Sequence, residues 1–324
     1  MTENIFIGGS SKYEDENKEE PSIILTRYLY NKKEVIVSLK ISLFDRNVEE
    51  AMFWGYELYF SGFKYDVFKE LNDIYEIFYK LKNPSLGKYL NKMIIKWDDD
   101  KSQHSILGTI IKNMALRPIS LTYMLEQRHG LPHNVSQYNE NDKNIFIQIQ
   151  EEEIKHLYTI ETIENNRFSS EGRATESSRN TTPYERRVSL RTWKLLRNVC
   201  KYTIRREAMD IFETSYQDFN YTNLDNWLYF ASFSPIWKLR IEKYKGIQNH
   251  QTNTIDFEEN DDTLEDFYEN YGYEPDEQPK EVLEKILYIN PKPQLSWADF
   301  CDKYGKDSVL SKVVILIKRH TNKL

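Results

Sequence analysis

Between Arg179 and Arg206 the chain carries nine basic residues and a single acid, Glu185. If this stretch is helical, at about 100° per residue, then Arg187, Arg191, Lys194, Lys201 and Arg205 share one stripe. Such a stripe suits phosphate groups, with Tyr184 and Tyr202 available for stacking, or an acidic protein partner. Arg186–Leu190 (RRVSL) has the form of a basophilic kinase site. That makes Ser189 a candidate for phosphorylation, with neighbouring arginines to receive the new charge. The opposite pattern occupies Asp256–Glu277, which holds eleven acids and no base. Contact between the two segments, or between each and a partner, would satisfy both.

Other reactive residue types lack the spacing that chemistry needs. His129 and His133 stand four apart in QRHGLPH, but Gly130 and Pro132 disfavour the helix that would bring both rings to one metal. Asp98–Asp100 and Glu151–Glu153 are carboxylate runs that read more simply as solvated helix ends than as a two-metal site. Cys200 shares an apolar face with Trp193, Leu196 and Ile204, which suits a small core residue better than a nucleophile. Phosphate loop, dinucleotide fingerprint, nucleophile elbow, kinase motifs and zinc spacing are all missing from the sequence. The expectation is a protein without catalytic residues, metal or cofactor.

Composition agrees with a contact-based role. The chain has 324 residues, 40% of them hydrophobic, and a net charge of −7 that opposes long-range attraction to nucleic acid. Two cysteines, Cys200 and Cys301, are too few for a disulfide scaffold and fit a reducing compartment. No run approaches the roughly 20 apolar residues that span a bilayer, so membrane insertion is not expected. Heavy use of Tyr, Asn and Lys matches an AT-rich coding genome.

The elements that would position these residues are mostly helices. Asn31 with Glu34, and Asn47 with Glu50, are helix-start pairs that satisfy orphan amides of a first turn. They predict helices over 35–44 and over 48–61, the second ended by Gly62 and apolar on nearly every face. A stripe of Val67, Leu71, Ile74, Phe78 and Leu81 predicts a third helix. Pro84 opens a fourth to Trp97, and Ser105–Leu116 forms a fifth. Leu121–Arg128 reads as one or two helical turns, Ile145–Ile149 as a short strand, and Glu151–Ile160 as helix. Asn165–Pro183 is polar enough to be a linker. A long helix over Tyr184–Tyr216 follows, then the apolar stretch Trp227–Phe230 and helices from Ser234, Gln278, Ser296 and Asp307.

The expected fold is mainly α, an irregular antiparallel array of αα-hairpins with at most a minor strand element. Residues 1–21 read as a disordered tail and 22–118 as an N-terminal helical domain. Residues 119–183 read as an irregular segment with linker, and 184–324 as a mainly helical C-terminal domain carrying the acidic segment 256–277.

Five stretches, taken together and in order, resemble a protein family of the nucleocytoplasmic large DNA viruses, the giant viruses. They are FWGYELYFSGF (53–63), DIYEIFYKLKNP (73–84), SPIWKLRIEKYKG (234–246), DFYENYGYEPDEQPKEV (266–282) and SWADFCDKYG (296–305). That family has no assigned activity, so the resemblance carries over no catalytic residue. It implies a viral protein of the infected-cell cytoplasm, viral factory or virion. The reading that follows is a non-enzymatic helical scaffold or adaptor with a viral or host protein as partner. The alternative is an accessory nucleic-acid binder of viral transcription, replication or translation that uses the basic stripe.

Overall fold

The computed structural model describes residues 21–129, 145–157, 164–167, 192–212, 217–257, 261–288 and 292–305. Helix α1 spans Lys32–Phe44, with Asn31 accepting from the Lys33 amide at its start. Helix α2, Val48–Phe60, returns antiparallel through a tight connection in which Arg46 takes a left-handed conformation, φ 58°. Only half of the expected Asn47–Glu50 pair caps backbone, because the Asn47 amide goes to the Ser42 carbonyl and not to Glu50. The Asn47 side chain accepts from the Glu50 amide at 3.2 Å and donates to its carboxylate at 3.1 Å.

Helix α2 is the hub, packed on α1, on α3 (Lys64–Ile74) and on α5 (Ser105–Ala115). Trp54, Tyr56, Leu58 and Tyr59 are buried from it, as the all-round apolar pattern requires. Gly62 ends the hairpin at φ 100°, and a Cβ there would collide with the Pro235 ring. After α3 the chain continues through a π-helical turn, Tyr75–Tyr79, which still buries Phe78. Helix α4, Pro84–Asp99, starts with its proline in the first turn, and α6 covers Thr122–His129.

The second half is less regular than its periodicity suggests. Ile145–Ile149 pairs with no strand among the described residues. Asn113 accepts from the Ile147 amide and donates to its carbonyl, and the Thr109 hydroxyl accepts from the Ile149 amide. Side chains of α5 take the hydrogen bonds a neighbouring strand would have used. A short helix α7, Glu151–Ile154, and a 3₁₀ turn to Leu157 follow.

The long helix expected over Tyr184–Tyr216 does not form across its described part. Strand β1, Glu164–Arg167, within the presumed linker, pairs antiparallel with β2, Thr192–Leu195. One helical turn survives after β2, with Cys200 N–H bonded to the Leu196 carbonyl. Beyond it the chain runs irregularly to α8, Met209–Phe212. Leu196, Cys200 and Ile204 are buried, so their spacing reports burial rather than helix. What holds the segment is distant: Ser38 accepts from the Arg205 amide, while Glu50 and Glu34 receive Arg205 and Arg206. These tertiary anchors outweigh helix propensity.

Helices α9 (Trp227–Ala231) and α10 (Pro235–Lys243), the hairpin β3 (Ile247–Asn249) and β4 (Thr254–Asp256), and α11 (Asp261–Tyr271) come next. Then come α12 (Lys280–Ile286) and α13 (Trp297–Tyr304), the last capped by Ser296 on the Asp299 amide. The fold is mainly α with two small antiparallel ribbons.

One contiguous hydrophobic core draws side chains from Ile23 through Cys301, so residues before 118 and after 192 pack into each other. Polar contacts cross the same seam. Trp237 donates to the Thr26 carbonyl at 3.0 Å, Tyr30 to the Tyr202 carbonyl at 2.8 Å, and Tyr304 to Asp45 at 2.7 Å. The expected tail over 1–20 and the expected helix from Asp307 lie outside the described residues. No helix among the described residues is long and apolar enough to cross a membrane.

Candidate functional site

Of the five residues of the expected basic stripe, the three that are described share no helix face. Arg187, Arg191 and the candidate phosphorylation site Ser189 lie outside the described residues. Lys194, Lys201 and Arg205 fall on a strand, a loop and a docked segment, so no common helix face joins them. Arg205 is consumed internally. Its Nε lies 2.8 Å from one Glu50 oxygen and its Nη2 2.6 Å from the other. That hydrogen-bonded pairing raises the guanidinium further above its ordinary range. Lys201 is exposed. Lys194 is half-buried and meets the acidic segment through its backbone, donating to the Gly272 carbonyl at 2.7 Å.

Of the remaining candidates, Asp100, Glu151, Glu153 and Cys200 have structural surroundings. Asp100 binds the Ser102 amide and hydroxyl and the Gln103 amide group, and these hydrogen bonds hold its carboxyl below the usual range. Glu151 accepts from the Ser105 amide at 2.7 Å, at the N-terminal end of α5, and Glu153 accepts from the Gln150 amide at the start of α7. Cys200 is fully buried, and burial pushes its thiol up, the opposite of what a nucleophile needs. His129 ends α6, and His133 lies outside the described residues. Among the described residues no three His, Cys, Asp or Glu side chains converge as a metal site.

What the fold leaves available is charge on two helices. Between Ile77 and Trp97 there are five lysines and no acid. Helix α4 buries Leu86, Leu90, Met93, Ile94 and Trp97, which turns Lys88, Lys92 and Lys96 outward. At 1.5 Å rise per residue, these ammonium stems stand about 6 Å apart along the axis. None of the three makes an ion pair among the described residues. Ile95 is 56% exposed between them. At the other flank, Tyr89 stacks on Phe146 with centroids 3.9 Å apart, and the Arg117 guanidinium covers Phe146 at 4.9 Å. The i, i+4, i+8 lysine spacing is the sequence signal for this face, and it is less dense than the basic run after Arg179.

The acidic counterpart is α11. It buries Phe267 and presents Glu265, Asp266 and Glu269 to solvent, again without ion pairs among the described residues. Asp276 and Glu277 extend this surface beyond the helix. Neither surface carries a reacting constellation, and each can bind only by charge and shape. Set against known proteins, the chain matches no family model, no curated protein and no solved structure.

Proposed function

We propose that this chain is a non-enzymatic helical scaffold or adaptor that works by docking other proteins on its charged helix faces. The observation carrying this reading is the contrast between used and unused charge. Arg27, Arg205 and Arg206 are locked to Glu57, Glu50 and Glu34 inside the molecule. Lys88, Lys92 and Lys96 on α4, and Glu265, Asp266 and Glu269 on α11, are exposed and make no ion pair among the described residues. Rim charges of this kind steer association and set partner choice. In the setting implied by the family resemblance, the partners are viral or host proteins of an infected cell, in cytoplasm, viral factory or virion.

The test is affinity capture from infected-cell extract with the full chain and two charge-reversed triples, K88E/K92E/K96E and E265K/D266K/E269K. Each triple should lose a distinct set of partners while the other set is kept. Identical capture by all three proteins would overturn the reading.

A second reading, accessory nucleic-acid binding, rests on α4 rather than on the predicted stripe. Three lysines with an adjacent aromatic stack can meet a phosphate backbone and one base. Binding would then weaken steeply with salt, and the α4 triple would reduce both affinity and salt slope. Weak binding equal in both proteins would rule it out.

A further inference from the structure

The segment 145–149 is hydrogen-bonded along one edge. The Ile145 carbonyl accepts from Arg117, Ile147 exchanges two bonds with the Asn113 side chain, and the Ile149 amide donates to Thr109. Thr109, Asn113 and Arg117 stand four residues apart, about 6 Å per step on a helix, which matches the two-residue repeat of an extended chain. In such a chain the backbone groups of successive residues point to opposite edges, so those of Phe146 and Gln148 face away from α5. Their N–H and carbonyl groups have no hydrogen-bond partner among the described residues. The outer edge is open to solvent: Gln148 is exposed, Ile145 is 76% exposed and Ile147 39%. Donors and acceptors left open at every second residue are a template for another strand.

The edge is complementary to itself. When two copies run antiparallel about a two-fold axis at Ile147, Phe146 of each faces Gln148 of the other, and each facing couple exchanges both its hydrogen bonds. Ile147 then falls opposite Ile147 of the second copy in a pair that needs no cross-strand bond. That position suits it, because Asn113 already takes its N–H and carbonyl on the inner edge. Charge follows the same symmetry. Beside Phe146 stand Arg117, whose guanidinium covers its ring at 4.9 Å, and Lys92, one turn along α4 from the Tyr89 that stacks on it. At the other end Gln150 is followed by Glu151, Glu152 and Glu153. An antiparallel pair sets each basic end against the acidic end of the other copy, whereas a parallel pair would set like against like.

We infer that this chain forms a two-fold homodimer by antiparallel pairing of residues 145–149 through the open backbone groups of Phe146 and Gln148. A second copy fits better than an unrelated strand, because one axis satisfies the hydrogen bonds, the exposed isoleucine and the charge at both ends. The pairing is carried by backbone groups, so it stands or falls independently of the docking reading.

Sedimentation of the full chain over a wide concentration range reads the mass directly. Wild type should rise from one chain to two and stop there, because a closed axis uses both edges. Gln148→Pro removes an N–H that bonds nothing within the chain, so it should keep the wild-type Tm as a monomer. It should weaken dimerisation about tenfold or more, for one lost bond on each side of the axis. A lowered monomer Tm would show that this N–H is used internally, and would overturn the proposal. Ile147→Cys tests the axis. Its two copies would lie directly opposite, with Cβ atoms about 5 Å apart, and mild oxidation should give a reducible cross-linked dimer. Ile145→Cys is the more exposed position, but its copies would stand roughly 13 Å apart and should not cross-link. The native Cys200 and Cys301 are buried and leave this readout clear. A monomer at every concentration, equal cross-linking at 145 and 147, or a dimer untouched by Gln148→Pro would each overturn the assignment.

Discussion

Arg205 and Glu50 meet in a two-point fork that joins positions 155 residues apart, with donor–acceptor distances of 2.8 and 2.6 Å. The carboxylate is also held by Asn47 and by the Trp54 indole, so one acid ties the start of α2, its central tryptophan and the segment ahead of α8. Removing Arg205 strands a desolvated carboxylate. Arg205→Ala should therefore destabilise by about 3–5 kcal/mol, while Lys201→Ala, at an exposed position, should stay within about 0.5 kcal/mol. Urea unfolding of both variants checks this. Equal midpoints would mean the fork contributes nothing.

The turn after α2 is constrained by geometry rather than charge. Gly62 combines φ 100° with direct packing on Pro235, the residue that opens α10. Gly62→Ala must strain the backbone and push α10 away, a loss of about 1–3 kcal/mol for the conformation alone. Denaturant unfolding should show a lower midpoint at an unchanged slope, and a wild-type midpoint would refute the contact.

His104 gives the fold a pH dependence. Its Nδ1 lies 3.1 Å from the Tyr59 hydroxyl, and its ring packs edge-on against Tyr59 and Phe60. Burial holds the imidazole below its ordinary value of 6.5, Lys64 adds to the effect, and Glu151 opposes it. The unfolded chain therefore takes up this proton first. Stability from the neutral ring is present above about pH 6.5 and is lost as pH falls below it. Melting curves between pH 8 and 5.5 should show wild type losing Tm on acidification, with His104→Gln giving a flatter profile. Parallel profiles would assign the acid sensitivity to other groups.

Local signals were legible in the sequence and distant ones were not. The caps at Asn31, Asn47 and Ser296 depend on neighbours within three residues, and each of these side chains accepts a first-turn amide. Glu34 and Glu50, by contrast, turn to Arg206 and Arg205 rather than to the backbone amides of Asn31 and Asn47. The apolar surround of Trp54 was equally plain. The helical periodicity after Thr192 does not become a helix because the partners of that segment, Glu34, Ser38 and Glu50, lie more than 150 residues away. Helical periodicity there came from burial imposed by α1 and α2. Strand β1 was hidden for the same reason, its pairing partner lying across the polar stretch.

Docking on charged helix faces is the central claim, and amide hydrogen exchange on a captured partner complex tests it most directly. Full-length chain carrying its partner should gain protection over residues 84–99 or 261–271, relative to free chain. The K88E/K92E/K96E triple should lose the first protection without a change in its own melting temperature, because exposed charges contribute little to stability. Protection confined to other surfaces, or α4 protection that persists in the triple, would contradict the account.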